Sequence, residues 1–259
     1  MATPTAVRAL GYWAYQYKRT WRSSLVSSFL NPALFLAAMG FGLGSLIDEA
    51  GSASLGGVDY VVFLAPGLLA ATCMQTSATE STFAVVGGIK WIRTYHGMLA
   101  TPLSVGDIVV GHLAWIGLRL LQTAAIFTLV MTLFGAVDSA AVLVAVPAAA
   151  LTGFAFTGAI AAFAAVTADN DGAFNPLFRF GIMPMYLFSG TFFPVTQLPA
   201  PLEALAYVTP LWHGVDLCRD IALGTITPLG DLGHVAYLCV WVVGGFVLAW
   251  RAFMKKLVI

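Results

Sequence analysis

The chain has 259 residues, of which 59% are hydrophobic and only 9% are charged, against roughly 25% charged residues in an average soluble domain. Its 12 basic and 12 acidic residues cancel to a formal net charge of zero. This composition excludes an ordinary soluble globular domain, whose surface needs charge, and a basic nucleic-acid-binding protein. It predicts an all-α integral membrane protein with length for about six helices of roughly 20 residues each.

Residues 1–28 are predicted to form an amphipathic helix in the membrane interface. At about 100° per residue, apolar and aromatic side chains cluster on one face: Val7, Leu10, Trp13, Ala14, Tyr17, Trp21 and Leu25. Basic side chains cluster on another face: Arg8, Lys18, Arg19 and Arg22. An aromatic face beside a basic one is typical of helices that lie along the membrane surface. The alternative is a loose basic tail that only fixes the topology.

Six apolar segments follow and make residues 29–259 a membrane domain. They are residues 29–47, a segment that begins near Tyr60 and carries Glu80 in its last third, and residues 108–134, 140–168, 180–193 and 232–249. Asn31 and Pro32 are typical of a helix start, because asparagine caps free N–H groups and proline lacks one. The fifth segment is too short to cross a bilayer as a straight helix.

The distribution of charge predicts the orientation. Basic residues precede the first segment, separate the second from the third, and end the chain: Arg8, Lys18, Arg19, Arg22, Lys90, Arg93, Arg251, Lys255 and Lys256. By the positive-inside rule, six crossings place all three groups and both termini in the cytoplasm. The opposite loops carry most of the acids: Asp48, Glu49, Asp59, Asp138, Glu203, Asp216, Asp220 and Asp231. Among these loops only Arg219 is basic.

Several catalytic and metal-binding motifs are absent from the sequence. No lysine follows a glycine and precedes a serine or threonine, so there is no phosphate-binding P-loop. The motifs H-E-x-x-H and G-x-S-x-G are absent too, and the three cysteines include no C-x-x-C pair. An odd cysteine count without such a pair argues against a disulfide framework or a zinc site. Uphill transport would therefore need an ion gradient or an energy-supplying partner subunit.

The stretch from Gly87 to Ser104 is basic and aromatic and lies between the second and third segments. A glycine pair opens it and Pro102 stands near its end. A short helix with exposed Trp91, Tyr95 and Met98 would be a docking element for another protein. An interfacial loop with an aromatic belt is the alternative, and the residues alone do not decide between them.

The stretch after the fifth segment predicts a broken, partly re-entrant hairpin that dips into the membrane from outside. Prolines close the segment at Pro194 and Pro199, and an apolar run then resumes over residues 202–208. Irregular backbone at membrane depth is tolerated only where protein or a water-filled cavity covers it.

Motifs in a fixed order along the chain resemble those of the type-2 ABC exporter permeases. They are S-G-x-x-F-P over 189–194, P-L-x-H-x-x-D-x-x-R over 210–219, L-A-T-P-L-S over 99–104, A-P-G-L-L-A over 65–70, and E-S-T over 80–82. The last two resemble the branch that includes lipooligosaccharide (nodulation-factor) exporters and daunorubicin-type drug exporters. The resemblance covers nearly the whole chain, and its specificity lies in the order and spacing of the motifs.

The resemblance implies a non-catalytic permease with six membrane helices, an N-terminal interface helix and an extracellular re-entrant helical hairpin over about residues 194–222. It implies a second permease, in a homodimer or a heterodimer, and two ABC ATPase subunits that bind ATP and Mg, with no cofactor on this chain. A coupling helix over about residues 89–101 would sit in the ATPase, with these contact residues: Lys90, Arg93, Tyr95, His96, Met98 and Thr101. The outer gate would include Gly190, Phe193, Pro194, Pro210, His213, Asp216 and Arg219.

Three sets of ionisable residues each allow two interpretations. Glu80 and Arg119 form either a polar patch on the translocation path or dimer seam, or a structural ion pair, because an intramembrane charge usually needs a partner. Asp216, Arg219 and Asp220 have the spacing of a local ion pair on a helix, with a substrate site as the alternative. His213 is either a pH-sensitive gate residue or a capped histidine of the hairpin.

The leading hypothesis is the membrane subunit of an ATP-driven exporter in the inner membrane of a bacterium. Its expected substrate is amphiphilic: a glycolipid, a lipooligosaccharide or a hydrophobic drug. A stand-alone ion-coupled transporter is the alternative, although Glu80 is almost its only candidate ion-binding carboxylate. A polytopic membrane enzyme is a third hypothesis, but Cys73 and His112 have no evident catalytic partner in the sequence.

Overall fold

A computed structural model describes residues 5–44, 57–137 and 142–258 of the chain. These ranges are helical and contain no β-strand, which confirms the all-α prediction. The α-helices are α1 (Thr5–Ala37), α2 (Tyr60–Val86), α3 (Thr94–Leu99), α4 (Val105–Leu133), α5 (Val142–Val166), α6 (Phe174–Pro176), α7 (Met183–Phe188), α8 (Ala200–Val208), α9 (Pro210–Leu223) and α10 (Pro228–Leu257). Three of the predicted outer acids, Asp48, Glu49 and Asp138, lie outside the described residues.

Shorter helical turns extend or join these helices. The π-helical turns are Ala38–Gly44 after α1, Gly87–Trp91 after α2 and Leu177–Ile182 between α6 and α7. The 3-10 turns are Asp171–Ala173 before α6 and Val195–Gln197 before α8.

Five described helices are long and apolar enough to cross a membrane: Thr5–Gly40, Tyr60–Trp91, Val105–Leu133, Val142–Val166 and Pro228–Leu257. The predicted fifth segment, residues 180–193, differs from them because it is divided between the π-turn, α7 and a bend. The bend follows from Gly190, whose φ of 82° is a left-handed conformation that ends helices. A sixth crossing therefore stays a prediction.

The first helix differs from the prediction at its proline. α1 runs without a break from Thr5 to Ala37 with Pro32 inside it, so the predicted helix start at Asn31-Pro32 is wrong. An interior proline removes one backbone hydrogen bond, and membrane helices tolerate this where neighbouring groups compensate. The same dipeptide is thus compatible with a helix interior and with a helix start. That residues 1–28 lie in the membrane interface stays a prediction.

The centre of the bundle is α5, which packs most extensively against α2 and α10. Small residues bring these helices close together: a Cβ added to Gly158 of α5 would lie 2.3 Å from the backbone carbon of Gly245 in α10. A Cβ on Gly153 would lie 2.8 Å from the carbonyl oxygen of Cys73 in α2. Such contacts are a common means of joining membrane helices. Around this centre, α1 packs on α4, and α9 packs on α2 and α5.

The helices α8 and α9 form a pair joined at Thr209. The Thr209 side chain accepts a hydrogen bond from the Trp212 N–H at 3.3 Å, which caps α9, and Pro210 occupies the first turn, where no N–H is needed. α9 buries Leu211 and Val215, whereas most of α8 is exposed. That this pair re-enters the membrane stays a prediction.

Candidate coupling and translocation sites

The segment over residues 87–101, here called the coupling segment, links α2 to α4. It begins with the π-turn Gly87–Trp91 and continues into α3 after Arg93. Arg93 has a φ of 58° and is the only non-glycine residue with a positive φ in the described part of the chain. A left-handed conformation costs an L-residue about 1–2 kcal/mol and persists where surrounding contacts impose it, often at functional positions.

Tyr95 anchors the coupling segment to three long helices. Its side chain is only 1% exposed, and its hydroxyl lies 2.6 Å from Nδ1 of His112 in α4. Its ring contacts Trp13 of α1 and Phe253 of α10, with centroid distances of 6.5 and 5.6 Å. Trp13 also stacks on His112, at 4.7 Å with nearly parallel planes. A displacement of α3 would therefore act directly on α1, α4 and α10.

The sequence analysis predicted a short helix with exposed Trp91, Tyr95 and Met98. The prediction is wrong for Tyr95 and Met98. Both are buried, while Trp91 is 56% exposed. Tyr95 and Met98 lie three residues apart on one face of α3, so they share its inward side. The pattern of a basic, aromatic stretch fits an outward or an inward aromatic face equally well. The packing partners on α1, α4 and α10 select the inward face.

The outer surface of the coupling segment combines apolar and basic side chains. Trp91, Ile92, Arg93 and His96 are exposed, and Lys90 is half-buried. An exposed tryptophan beside an arginine is the composition that protein interfaces favour. This surface carries the predicted ATPase contacts Lys90, Arg93 and His96, whose role stays a prediction.

The L-A-T-P-L-S motif ends one helix and begins the next. The Thr101 hydroxyl donates to the Met98 carbonyl at 2.6 Å, which closes α3. Ser104 caps α4, because its side chain accepts from the Asp107 N–H at 3.1 Å and its own N–H donates to the Asp107 carboxylate at 2.9 Å. This reciprocal arrangement is a capping box. Thr101 and Ser104 therefore fix the angle between the coupling segment and α4.

Glu80 and Arg119 form an ion pair between α2 and α4. Arg119 Nε lies 3.2 Å from Glu80 Oε1, and Arg119 Nη1 donates to the Gln122 side-chain oxygen at 3.3 Å. The guanidinium also lies 4.7 Å from the ring centroid of Tyr17 in α1, and Tyr17 is hydrogen-bonded to Gln122. Each charge is thus compensated, as intramembrane charges require. The pair joins three helices at one point.

Arg219 fastens the S-G-x-x-F-P turn to α2. Its guanidinium donates to the carbonyl of Gly190 at 2.8 Å and to the carbonyl of Phe63 at 3.3 Å, and it lies 3.8 Å from the Phe63 ring centroid. Gly67 of α2 permits this approach, because a Cβ there would lie 2.9 Å from the Thr191 carbonyl oxygen. Within the turn Phe193 is half-buried, and Pro194 precedes the turn Val195–Gln197.

The expected local ion pair of Arg219 with Asp216 and Asp220 is not formed. Arg219 turns toward backbone carbonyls instead, and Asp220 accepts a hydrogen bond from the Thr225 hydroxyl at 2.8 Å. Helical spacing favoured the ion pair, but the carbonyls that bind Arg219 come from elements distant in sequence. No local pattern contains that information.

His213 lies in a ring-stacked cluster between α9 and α10. Its Nδ1 is 2.8 Å from Nδ1 of His234, its ring stacks on Tyr237 at 3.9 Å, and His234 Nε2 lies 3.4 Å from the Asp216 carboxylate. Burial, as the larger cause, and the neighbouring His234 lower the pKa of His213 to about 4. The sequence showed His213 and Asp216 as candidates but missed His234, which lies 21 residues away in another helix.

Comparison with known proteins identifies the family. The ABC-2 type transporter family matches residues 10–223. The chain is 33% identical over 254 residues to Nodulation protein J of Rhizobium leguminosarum bv. trifolii, covering 96% of this chain and 93% of that protein. It is 31% identical to the protein of the same name from Rhizobium leguminosarum bv. viciae, covering 96% and 94%, and 30% identical to that of Rhizobium meliloti (strain 1021), covering 96% and 93%. The chain therefore belongs to the ABC-2 type transporter family, as a multi-pass membrane permease.

Proposed function

We propose that this permease is the transmembrane subunit of an ATP-driven exporter that moves an amphiphilic substrate outward across the inner membrane of a bacterium. Two permeases would form the pathway, and two separate ATPase subunits would dock on the coupling segments. The single observation that carries this proposal is the Tyr95 anchor: the segment has an exposed surface suited to a protein partner and a buried side chain that contacts α1, α4 and α10.

The grouping of basic segments at one end of the bundle supports a cytoplasmic location for both termini. Tyr95 contacts Trp13 near the start of α1 and Phe253 near the end of α10. These contacts bring the N-terminal, middle and C-terminal basic groups to one end of the molecule. The positive-inside rule assigns that end to the cytoplasm, where ATPase subunits would be available.

Contacts on either side of α7 support the sixth crossing. Asp169 pairs with Lys256 at the C-terminal end of α10, whereas Gly190 is bound by Arg219 beside Phe63, near the start of α2. These positions lie at opposite ends of the bundle. Residues 171–188 would rise about 27 Å if helical throughout, close to the roughly 30 Å hydrocarbon thickness. We infer a broken sixth crossing there, with α8 and α9 as the extracellular re-entrant hairpin.

In this mechanism ATP supplies energy on the partner subunits, while this chain transmits movement. Closure of the two ATPases would push both coupling segments. The motion would pass through Tyr95 into the ends of α1, α4 and α10, while the turn held by Arg219 keeps the outer end closed until the helices shift. The substrate would leave between the two permeases.

Co-purification with an ATPase tests the docking step. A candidate ATPase from the same bacterium is co-expressed with the wild-type permease, with Arg93→Glu, and with Lys255→Glu as the matched control, since Lys255 is exposed and lies on the same side. Reversal of a charge at an interface typically costs several kcal/mol, so we expect Arg93→Glu to reduce bound ATPase about tenfold or more and to abolish ATP-dependent export. Equal ATPase recovery and equal export in Arg93→Glu and wild type would refute the coupling role.

The ion-coupled alternative is less well supported by the geometry. Its main candidate carboxylate, Glu80, is held in an ion pair with Arg119, so protonation there would break a compensated pair. In inverted vesicles, outward transport is measured as uptake of substrate into the lumen. Uptake that needs ATP and persists after a protonophore dissipates the proton gradient would favour the exporter. Export that follows the gradient without ATP would favour the alternative.

A further inference from the structure

Polar side chains recur along one face of α2, whose remaining serines and threonine, Ser77, Ser81 and Thr82, are buried. The side chains of this face lie three or four positions apart, which places them in one row: Thr72, Gln75, Thr76, Thr79 and Glu80. A row of polar groups is unfavourable against lipid, so in membrane proteins it usually faces a cavity or another protein surface.

The row opens into a cavity of about 420 Å³ between α1, α2 and α4, here called the polar cavity. Its hydroxyl and amide lining comprises Ser28, Asn31, Thr72, Gln75, Thr76, Thr79 and Thr123. Hydroxyl groups both donate and accept hydrogen bonds, and side-chain amides do so through separate atoms. The polar cavity therefore matches a ligand that carries several uncharged donors and acceptors.

A second cavity of about 690 Å³ lies toward the coupling segment and is here called the aromatic cavity. The rings that line it are Tyr12, Trp13, Tyr17, Phe83, Trp91 and Trp115. Tyrosine and tryptophan combine an apolar face with one polar group, and they concentrate where membrane meets water. This lining matches the region of an amphiphile where its apolar and polar parts meet.

Glu80 and Arg119 line both cavities. They are the charged side chains among the described residues of the two linings, and they are paired at 3.2 Å, so the combined lining has no net charge. A charged head group would stand there without a counter-ion, which is costly in a partly buried site. A neutral head group can exchange hydrogen bonds with water for hydrogen bonds with the row.

We propose that the polar cavity and the aromatic cavity form one binding site, within a single permease, for an amphiphile whose head group is electrically neutral and rich in hydroxyl or amide groups. The Glu80–Arg119 pair sets the charge selectivity of this site. The identification of the bound amphiphile with the exported substrate rests on the proposed function. The binding of an amphiphile to this site does not depend on it.

Binding is measured on the full-length permease in lipid nanodiscs, without ATPase or ATP, by quenching of tryptophan fluorescence. The probes are decyl maltoside (neutral), decyl phosphate (anionic) and decyltrimethylammonium (cationic), each corrected for partition into empty nanodiscs. We expect the neutral probe to bind at least about tenfold more tightly than either charged probe. Thr76→Val should weaken its binding about fivefold through one lost hydrogen bond. The isosteric control Thr132→Val, an exposed position of α4 outside both cavities, should leave it unchanged.

Charge variants separate a binding role of the ion pair from a merely structural one. Glu80→Gln leaves Arg119 uncompensated and should raise the affinity for decyl phosphate relative to decyl maltoside about tenfold. Arg119→Gln should do the same for decyltrimethylammonium, and the double variant should restore the preference for the neutral probe. A purely structural pair would lower binding of all three probes together, and that result would overturn the proposal.

The remaining outcomes also decide the question. Equal binding of the three probes by the wild type would overturn the proposal, as would equal effects of Thr76→Val and Thr132→Val. If Thr76→Val reduces the dimer fraction and leaves binding unchanged, the polar row is a contact with a second copy and the proposal is wrong. Because binding is measured without ATPase, it succeeds or fails independently of the Arg93→Glu docking experiment.

Discussion

The two ends of the bundle are held together in different ways. At the proposed cytoplasmic end, Tyr95 is fixed by ring packing against Trp13 and Phe253 and by one hydrogen bond to His112. At the proposed outer end, the turn at Gly190 is fixed by hydrogen bonds from Arg219. Buried rings dominate the contacts at the first end, whereas at the second an arginine bridges the turn to α2 and supplements the packing of Phe192 on Phe35.

This difference matches the work that each end would do. Packed rings resist displacement in every direction, so a push on α3 moves its neighbours. Hydrogen bonds to carbonyls break over a short distance and exchange readily with water. In the proposed mechanism, the cytoplasmic end would transmit motion and the outer end would release. The variants that follow weaken each end separately.

Removal of the Tyr95 ring should have the largest effect. Tyr95→Ala removes a fully buried aromatic side chain, and such truncations cost about 3–5 kcal/mol. We expect a large fall in the thermal unfolding temperature and, where the protein folds, loss of ATP-dependent export with ATPase still bound. Unfolding by tryptophan fluorescence and export from vesicles measure the two effects.

Two variants show whether ring packing or the hydrogen bond matters at this end. Tyr95→Phe keeps the ring and loses only the bond to His112, so it should cost about 1 kcal/mol. Tyr15→Ala removes an exposed tyrosine of α1 and should change stability little. If Tyr95→Phe were as damaging as Tyr95→Ala, hydrogen bonding rather than packing would hold the cytoplasmic end.

Removal of the Arg219 guanidinium should have a smaller, local effect. Arg219→Met removes the hydrogen bonds to the Gly190 and Phe63 carbonyls, at a cost of about 1–3 kcal/mol. The thiol of Cys218, which is buried next to Arg219 in the sequence, becomes accessible when the turn at Gly190 opens. In a background where Cys73 and Cys239 are serine, we expect a membrane-impermeant thiol reagent to label Cys218 about tenfold faster in Arg219→Met, because local opening raises access in proportion to its equilibrium constant.

Two comparisons identify the cause of that labelling. Arg219→Lys keeps the positive charge but loses the planar, forked donor geometry, so it should open the turn nearly as much as Arg219→Met. Arg22→Met, at an exposed position of α1, should label like wild type. Slow labelling of Cys218 in both Arg219 variants would mean that other contacts hold the outer turn.

Local patterns predicted the helices well but did not predict their partners. Apolar runs located the long helices, although Asn31-Pro32, predicted to start a helix, lies inside α1. The inward face of Tyr95 and the carbonyl partners of Arg219 could not be predicted, because each depends on helices that lie far away in sequence. Glu80 and Arg119 fall between these cases: the cost of an isolated charge predicted that they could pair, and the packing of α2 on α4 brings them to 3.2 Å.

Acidification should have the smallest effect, and His213 reports it at the outer end. The folded protein lowers the pKa of His213 from 6.5 to about 4, through burial and then through His234. Because the unfolded chain binds this proton more readily, the stabilisation is complete above about pH 6.5 and is lost as pH falls toward 4. The new charge would arise beside His234, whose other nitrogen faces Asp216, and under the ring of Tyr237. Between pH 7 and pH 4.5, the thermal unfolding temperature of the wild type should therefore fall by roughly 2–4 °C more than that of His213→Asn. Identical pH profiles of the two proteins would show that protonation of His213 leaves the outer end intact.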